Sequence, residues 1–277
     1  MMKIIQDLKS LLLQILQLIK NYLDRNKTNI KTGITTAEVN RISNLASLQE
    51  NKAKLFSKDF YFSDNNGFLH SLNEIFDQEV YKFNSDNQAP LIIDCGSNYG
   101  LSILYLKKLF PKSRIIAFEP DAKIFQILNR NIINYNLKDV ELHNEAVWTV
   151  DTDLNFYSEG SLGGRISNAE QNHYTVKAID FKKYLNQKID FLKMDIEGAE
   201  NSVIFDIKDY LKNVDKLFLE YHGIVGENQN LGDILNMLSS VGFQYYIRVA
   251  GETMRYPFCG ERPKIFNQQL NIFCYRN

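Results

Sequence analysis

The sequence has no excess of either charge, with 32 lysines and arginines against 33 acids in 277 residues, and no block of like charge. The electrostatic footprint of a nucleic-acid binder is therefore missing, and nucleic acid is set aside as a partner. Cysteine is also scarce. Cys95, Cys259 and Cys274 are odd in number and lack metal or redox spacing, which suits a reducing, cytoplasmic compartment. Long apolar runs are missing near the amino terminus, where the longest is Leu11–Leu13. That is too short for a signal-peptide core or a membrane span.

What is present, at 44% hydrophobic content, suffices for one sizeable core and an extension. Residues 3–23 carry Ile4, Leu8, Leu11, Ile15, Leu18, Ile19 and Tyr22 at helical spacing, interrupted by Lys3, Asp7, Ser10, Gln14, Gln17 and Asn21. This predicts an amphipathic helix that packs on the domain or on a second copy of the chain. Peripheral attachment to a membrane surface is the alternative, weakened by the few lysines on its polar face. Residues 1–50 are read as a helical extension, with a polar linker from Asn26 and then a short helix, and residues 51–277 as one catalytic domain. Phe60–Phe62 suggests a short strand, and Leu72–Phe83 a helix.

The chain is organised around residues 91–100, Leu-Ile-Ile-Asp-Cys-Gly-Ser-Asn-Tyr-Gly. Leu91, Ile92 and Ile93 lack the alternation of a half-wet strand, as expected of a parallel strand covered on both faces. Gly96 and Gly100 permit a sharp turn close to a ligand, and Leu101–Leu109 then has helical spacing, stopped by Pro111. A second strand, Arg114–Phe118, ends at Glu119-Pro120. Ligands of open parallel sheets bind at that edge, and an acid there can accept both hydroxyls of a ribose. A dinucleotide fingerprint would place glycines at relative positions one, three and six, where this chain has Gly96, Asn98 and Leu101. Two of the three are missing. The turn suits a nucleoside without a pyrophosphate, such as S-adenosylmethionine.

These motifs, followed by Asn144-Glu145-Ala146-Val147 and by Phe191-Leu192-Lys193-Met194-Asp195-Ile196-Glu197-Gly198-Ala199-Glu200, resemble those of the FkbM family of S-adenosylmethionine-dependent methyltransferases. The resemblance runs from about Glu74 to about His222. It implies a Rossmann-like class I methyltransferase, an α/β fold with a seven-stranded, mostly parallel sheet closed by antiparallel strands. It also implies O-methylation of a hydroxyl on a sugar, glycan or natural product.

The expected cofactor contacts are Asp94, Gly96, Ser97, Asn98 and Gly100 in the first turn, Glu119 and Pro120 at the second strand, and Glu145 and Ala146 at the adenine. A helix over Ala122–Tyr135 and a third strand over Val140–Val147 complete that half. His143 and Trp148 are read as core. On the two-residue period of a strand over Asp190–Glu197, Lys193, Asp195 and Glu197 share a side. A fifth strand, Lys216–His222, does the same for Glu220 and His222. If the two strands are neighbours, the chemistry gathers there. Asp195 or His222 would serve as base, with Glu197 and Lys193 beside them. Alternatively Asp195, Glu220 and His222 would hold a divalent cation, and Glu197 and Glu200 would cap the next helix.

The glycine-rich segment Glu159–Arg165 reads either as a lid or acceptor-side loop, with Tyr157, Arg165 and Tyr256 as acceptor contacts, or as a plain hairpin tip with a solvated arginine. Leu231–Val241 is a predicted helix, and Gln244–Val249 and Leu270–Tyr275 are closing strands. Two rival functions remain: an NAD-dependent dehydrogenase or epimerase, and a non-catalytic S-adenosylmethionine-binding scaffold.

Overall fold

The computed structural model describes residues 14–18, 20, 26–157, 165–166, 173–251, 254–260 and 265–276. Residues 14–18 and 20 are helical and exposed. The rest of the predicted 3–23 helix as far as residue 13, together with residues 19 and 21–23, lies outside the described residues, as do 158–164 of the glycine-rich segment. None of the helices among the described residues is long and apolar enough to cross a membrane.

The chain divides into two compact units, residues 1–79 and 80–277. In the first, α1 (Thr36–Ser43) is capped by the Thr35 hydroxyl, which accepts from the Glu38 N–H. An antiparallel hairpin, β1 (Asn51–Leu55) and β2 (Lys58–Phe62), follows. It buries Ala53, Leu55, Phe60 and Phe62 on one face, and the Phe62 ring stacks on Phe68 at 4.2 Å. The helix expected over Leu72–Phe83 lies earlier in the chain. Asp64 caps α2 (Asn65–Leu72), which runs into a π-helical turn at Asn73–Asp77 and stops before Glu79, whose φ is 55°.

The second unit is built on a seven-stranded sheet of order β12-β13-β11-β10-β3-β4-β5. Its strands are β3 (Leu91–Cys95), β4 (Arg114–Phe118), β5 (Val140–His143), β10 (Phe191–Met194), β11 (Lys216–Ile224), β12 (Gln244–Val249) and β13 (Phe266–Tyr275). β11, β10, β3, β4 and β5 are mutually parallel, and β13 and β12 close the edge antiparallel. The helices α3 (Leu101–Leu109) and α4 (Ala122–Tyr135) coincide with their predicted spans. Asp121 starts α4 by accepting from the Lys123 and Ile124 N–H groups, and Asn136 ends it in the left-handed conformation. α5 (Glu200–Asp206) and α6 (Leu231–Ser240) follow β10 and β11. Ile92, Ile93, Leu192 and Leu219 are wholly buried in the sheet. Each such side chain contributes roughly 1.5–3 kcal/mol.

Two predicted strands stop short of their expected ends. Val140–Val147 is broken at Asn144, whose side-chain amide donates to the Glu119 and Pro120 carbonyls. The chain resumes as β6 (Ala146–Trp148) in a separate sheet of order β6-β9-β7-β8, with β7 (Thr152–Tyr157), β8 (Arg165–Ile166) and β9 (His173–Asp180). The other is β10, which ends at Met194. Asp195, Ile196 and Glu197 lie in the turn beyond it, with Glu197 at φ 54° and Gly198 at φ 103°.

Gly96 has no alternative at its position. Its φ is +81°, and a Cβ there would sit 1.9 Å from the Asp195 backbone oxygen. Gly96→Ala is expected to cost at least about 3 kcal/mol in urea unfolding. Gly226→Ala, at a similar φ of +86° but in open space, is expected to cost only about 1 kcal/mol.

Candidate active site

The carboxyl ends of β4, β3, β10 and β11 present the charged residues in one row, because the strands are parallel neighbours. At its centre is the Lys193 ammonium, on a side chain 2% exposed. It lies 3.3 Å from Asp94 Oδ1 and 3.4 Å from Asp195 Oδ2, and donates to the Cys95 and Gly96 carbonyls at 3.2 and 2.8 Å. Burial alone would pull its pKa down, but the Asp94 and Asp195 carboxylates hold it well above the ordinary lysine value. Asp94 is wholly buried. Its other oxygen accepts from the Ser102 hydroxyl at 2.5 Å, tying the strand to the first turn of α3. Lys193 and Asp94 thus lie beneath the glycine turn and hold its shape.

The turn itself is closed by its own amides. Gly96 and Ser97 N–H both donate to the Phe118 carbonyl, Asn98 N–H to Glu119, Tyr99 N–H to the Asn98 side chain, and Gly100 N–H to the Ser97 carbonyl. No amide from 96 to 100 is left to cradle a pyrophosphate, the structural counterpart of the missing dinucleotide glycines. Glu119 is 7% exposed and accepts from the Asn98 and Asp121 N–H groups at 2.9 Å each, one per oxygen. Burial pushes its pKa up to about 7 against those hydrogen bonds. A carboxylate has about four lone-pair positions, so two remain to receive a pair of hydroxyls.

Pro120 is half-buried beside it, and Ser97 is buried. Further along the edge, Ala146 is buried at the start of β6, and Glu145 Oε2 lies 3.4 Å from His143 Nδ1. The His143 ring stacks on Phe118 at 4.9 Å. Trp148 is partly buried, packed against the core of the large sheet and against the smaller cluster of Ala146, Phe156, Val176 and Ala178.

On the β11 side His222 is 1% exposed. Its Nδ1 and its backbone N–H both lie 2.9 Å from Glu200 Oε1, while Glu200 Oε2 accepts from the Gly198 N–H at 2.8 Å. Glu200 is wholly buried at the first residue of α5, where the helix dipole also favours its charge. Around His222 Nε2 stand Glu197 Oε2 at 3.5 Å and Glu220 Oε1 at 3.8 Å. Burial would lower the histidine pKa, but the Glu200 contact outweighs it and carries it up to about 10. Glu197 shifts upward, chiefly by burial, with His222 opposing.

Asp195, Glu197, Glu220 and His222 are therefore brought together, with Lys193 bridging them to the turn. The acceptor-side residues are less defined: Tyr256 is half-exposed, and the side chains of Tyr157 and Arg165 lie outside the described residues. Sequence reading did not single out Ser102, or Glu200 as the partner of His222. The first signal was a hydroxyl eight residues after Asp94, on the first turn of α3. The second was an acid at the first position of α5, but its partner lies 22 residues away on another strand.

The sheet order, the glycine turn closed on itself and the acid at the end of the second strand define a Rossmann-like class I methyltransferase. The family model described as Methyltransferase FkbM domain matches residues 94–245, more than half of the chain, and the chain belongs to that family. Among curated proteins it is similar to Methyltransferase 1 of Beauveria bassiana, with 27% identity across 51% of this chain and 67% of that protein. It is also similar to the AMB antimetabolite synthetase AmbE of Pseudomonas aeruginosa, with 26% identity across 63% of this chain and 10% of that one. Among solved structures, the FkbM methyltransferase from Methylobacillus flagellatus aligns with a TM-score of 0.47 and 16% identity. That alignment covers 69% of this chain and 45% of the solved one. The chain thus spans about two thirds of the first relative and less than half of the other two.

Lys193→Met removes the cation between buried carboxylates and is expected to cost about 3–5 kcal/mol in urea unfolding. Adding Asp94→Asn, which removes the stranded charge, is expected to return part of that loss. Equal stability of wild type and the single variant would refute the role of the pair.

Proposed function

We propose that this protein transfers a methyl group from S-adenosylmethionine to a hydroxyl of a sugar, glycan or other natural product. The observation that carries the reading is a buried Glu119 with two open acceptor positions, beside a turn whose amides are all engaged. This fits a ribose and excludes a pyrophosphate, so it speaks against the dehydrogenase. Glu119 would accept the ribose hydroxyls, with Gly96, Ser97, Asn98 and Gly100 shaping the wall and Glu145 and Ala146 at the adenine end. The donor would supply an electrophilic methyl carbon on a positively charged sulfur. The carbon–oxygen bond forms as the carbon–sulfur bond breaks, its electron pair staying on sulfur, and the hydroxyl proton leaves to the protein.

Of the candidates for that proton, Glu197 suits best: burial raises its pKa to about 8, so the carboxylate that forms as pH rises through that value is a stronger base than an ordinary one. His222 is fixed by Glu200 through Nδ1 and faces Glu197 and Glu220 with Nε2, so it would position those carboxylates. Asp195, anchored to Lys193 and pressed against Gly96 through its backbone, would face the reacting carbon and help align the acceptor. A natural-product acceptor agrees with one relative's description as an antimetabolite synthetase.

Calorimetric titration tests the donor site: S-adenosylhomocysteine is expected to bind, NAD is not, and Glu119→Ala is expected to weaken the former. NAD binding alone would overturn the reading in favour of the dehydrogenase. Because the Glu119 carboxylate accepts better than its acid, S-adenosylhomocysteine affinity is expected to rise as pH goes from 6 to 8. One linked proton allows at most about tenfold per pH unit, and the trend is expected to vanish in Glu119→Gln. With labelled methyl donor and a panel of glycans and small hydroxylated metabolites, Glu197→Gln is expected to lower turnover by roughly 10²–10⁴ with S-adenosylhomocysteine affinity unchanged.

A further inference from the structure

Asp195, Glu220 and His222 each present one ligand-type atom, and these three atoms lie within 4.8 Å of one another. Donors on one six-coordinate ion with bonds of about 2.1 Å stand roughly 3–4.2 Å apart, so only a small closure separates the cluster from a coordination site.

An acidic cluster alone would mean little, but the histidine adds a separate observation. Its Nε2 is buried and has no hydrogen-bond partner among the described residues. Glu197 and Glu220 stand at 3.5 and 3.8 Å, too far to satisfy it. The other ring nitrogen explains why Nε2 points there. Glu200 Oε1 receives the His222 backbone N–H and Oε2 the Gly198 N–H, so Glu200 acts as an acceptor and Nδ1 must be the donor to it. A carboxylate receiving Nδ1–H fixes the imidazole and turns Nε2 toward the cluster, the second-shell arrangement of metal-ligating histidines. The Phe266 ring, 4.7 Å from the imidazole, packs against it.

Charge points the same way. Four carboxylates, Asp195, Glu197, Glu200 and Glu220, surround His222, and Lys193 serves both Asp94 and Asp195.

We propose that Asp195, Glu220 and His222 Nε2 form a divalent cation site, with Glu200 as the residue that orients the histidine. Two carboxylate oxygens and one imidazole suit a first-row divalent ion such as manganese(II) better than magnesium, which takes oxygen donors. With three protein ligands, about three of six positions stay open, enough for two neighbouring oxygens of one acceptor. On the methyl-transfer reading, on which this role rests, the cation would polarise the acceptor hydroxyl and lower its pKa, while Glu197 takes the proton. The acceptor class then narrows to hydroxyls flanked by a second oxygen, such as vicinal diols and α-hydroxy acids.

The test uses the full chain and manganese(II) chloride, without methyl donor or acceptor. Electron paramagnetic resonance is expected to show one saturable manganese site per chain, with nitrogen modulation in the spin-echo signal from a directly bound imidazole. Glu220→Gln and Asp195→Asn are expected to weaken binding at least tenfold, Glu200→Gln by about 10–100-fold, and His222→Gln is expected to abolish the modulation. Circular dichroism and thermal unfolding without metal identify any variant that fails to fold, and the inference is judged on those that do. No saturable binding to wild type, or equal affinity in a folded Glu220→Gln or Asp195→Asn, would overturn it. S-adenosylhomocysteine titration of the same sample separates the two readings. Nucleoside binding without manganese sinks only the cation site, and manganese binding without nucleoside sinks only the methyl-transfer role.

Discussion

One buried ammonium organises the glycine turn and the strand ends around it. Lys193 sits where two parallel strands end side by side, and it collects the Asp94 and Asp195 carboxylates together with the carbonyls of Cys95 and Gly96. Removing such a charge from water costs several kcal/mol, which only close opposite charges and oriented carbonyls offset. The arrangement therefore tolerates little movement. With those carbonyls held by Lys193, the Gly96 and Ser97 amides turn to Phe118 and the Asn98 amide reaches Glu119. The position of the Glu119 carboxylate and the shape of the turn are consequences of a residue that itself has almost no exposure.

A second buried pair organises the other half of the site on the same logic. Glu200 begins a helix and His222 belongs to a strand, and their contact fixes the imidazole against the acids at the ends of β10 and β11. Asn201, the next residue of that helix, donates to the His222 carbonyl at 2.9 Å, so the backbone is held as firmly as the ring. Between the two pairs stands the turn at Asp195–Gly198, with two successive residues at positive φ. Strain of that kind persists only where the surroundings over-determine it. Here Gly198 N–H bonds to Glu200 below it, and the Asp195 N–H bonds to the Cys95 carbonyl.

The differences between expectation and structure lie at the points where elements stop. A strand over Val140–Val147 is reasonable from composition, but Asn144 bonds to carbonyls 24 and 25 residues upstream and breaks it. The strand expected to reach Glu197 ends at Met194, so a two-residue period could not place Asp195 and Glu197. Their convergence comes from the turn. The helix expected to run to Phe83 ends earlier, and Tyr81 and Phe83 serve the sheet unit as core rings, against Phe218 and Phe191 respectively. Periodicity reports which residues are buried. It does not report whether burial is in a helix or beneath a sheet.

The parallel strands were legible in the residues alone, through unbroken apolar runs, as were the two helices that follow the first two of them, through 3.6-residue spacing. The sequence by itself pointed to the turn, because Gly96 and Gly100 permit the left-handed backbone found there, and the glycines it lacks argue against a pyrophosphate. These are local properties, set within about ten residues by backbone sterics and side-chain shape. Only the tertiary structure decided which charges meet. Lys193 and Asp94, Glu119 and Asn98, and Glu200 and His222 are separated by 21 to 99 residues in the chain. Such pairings depend on sheet order and on where each strand stops, and electrostatic interactions that fall off over a few ångströms leave no periodic trace in the residues that make them.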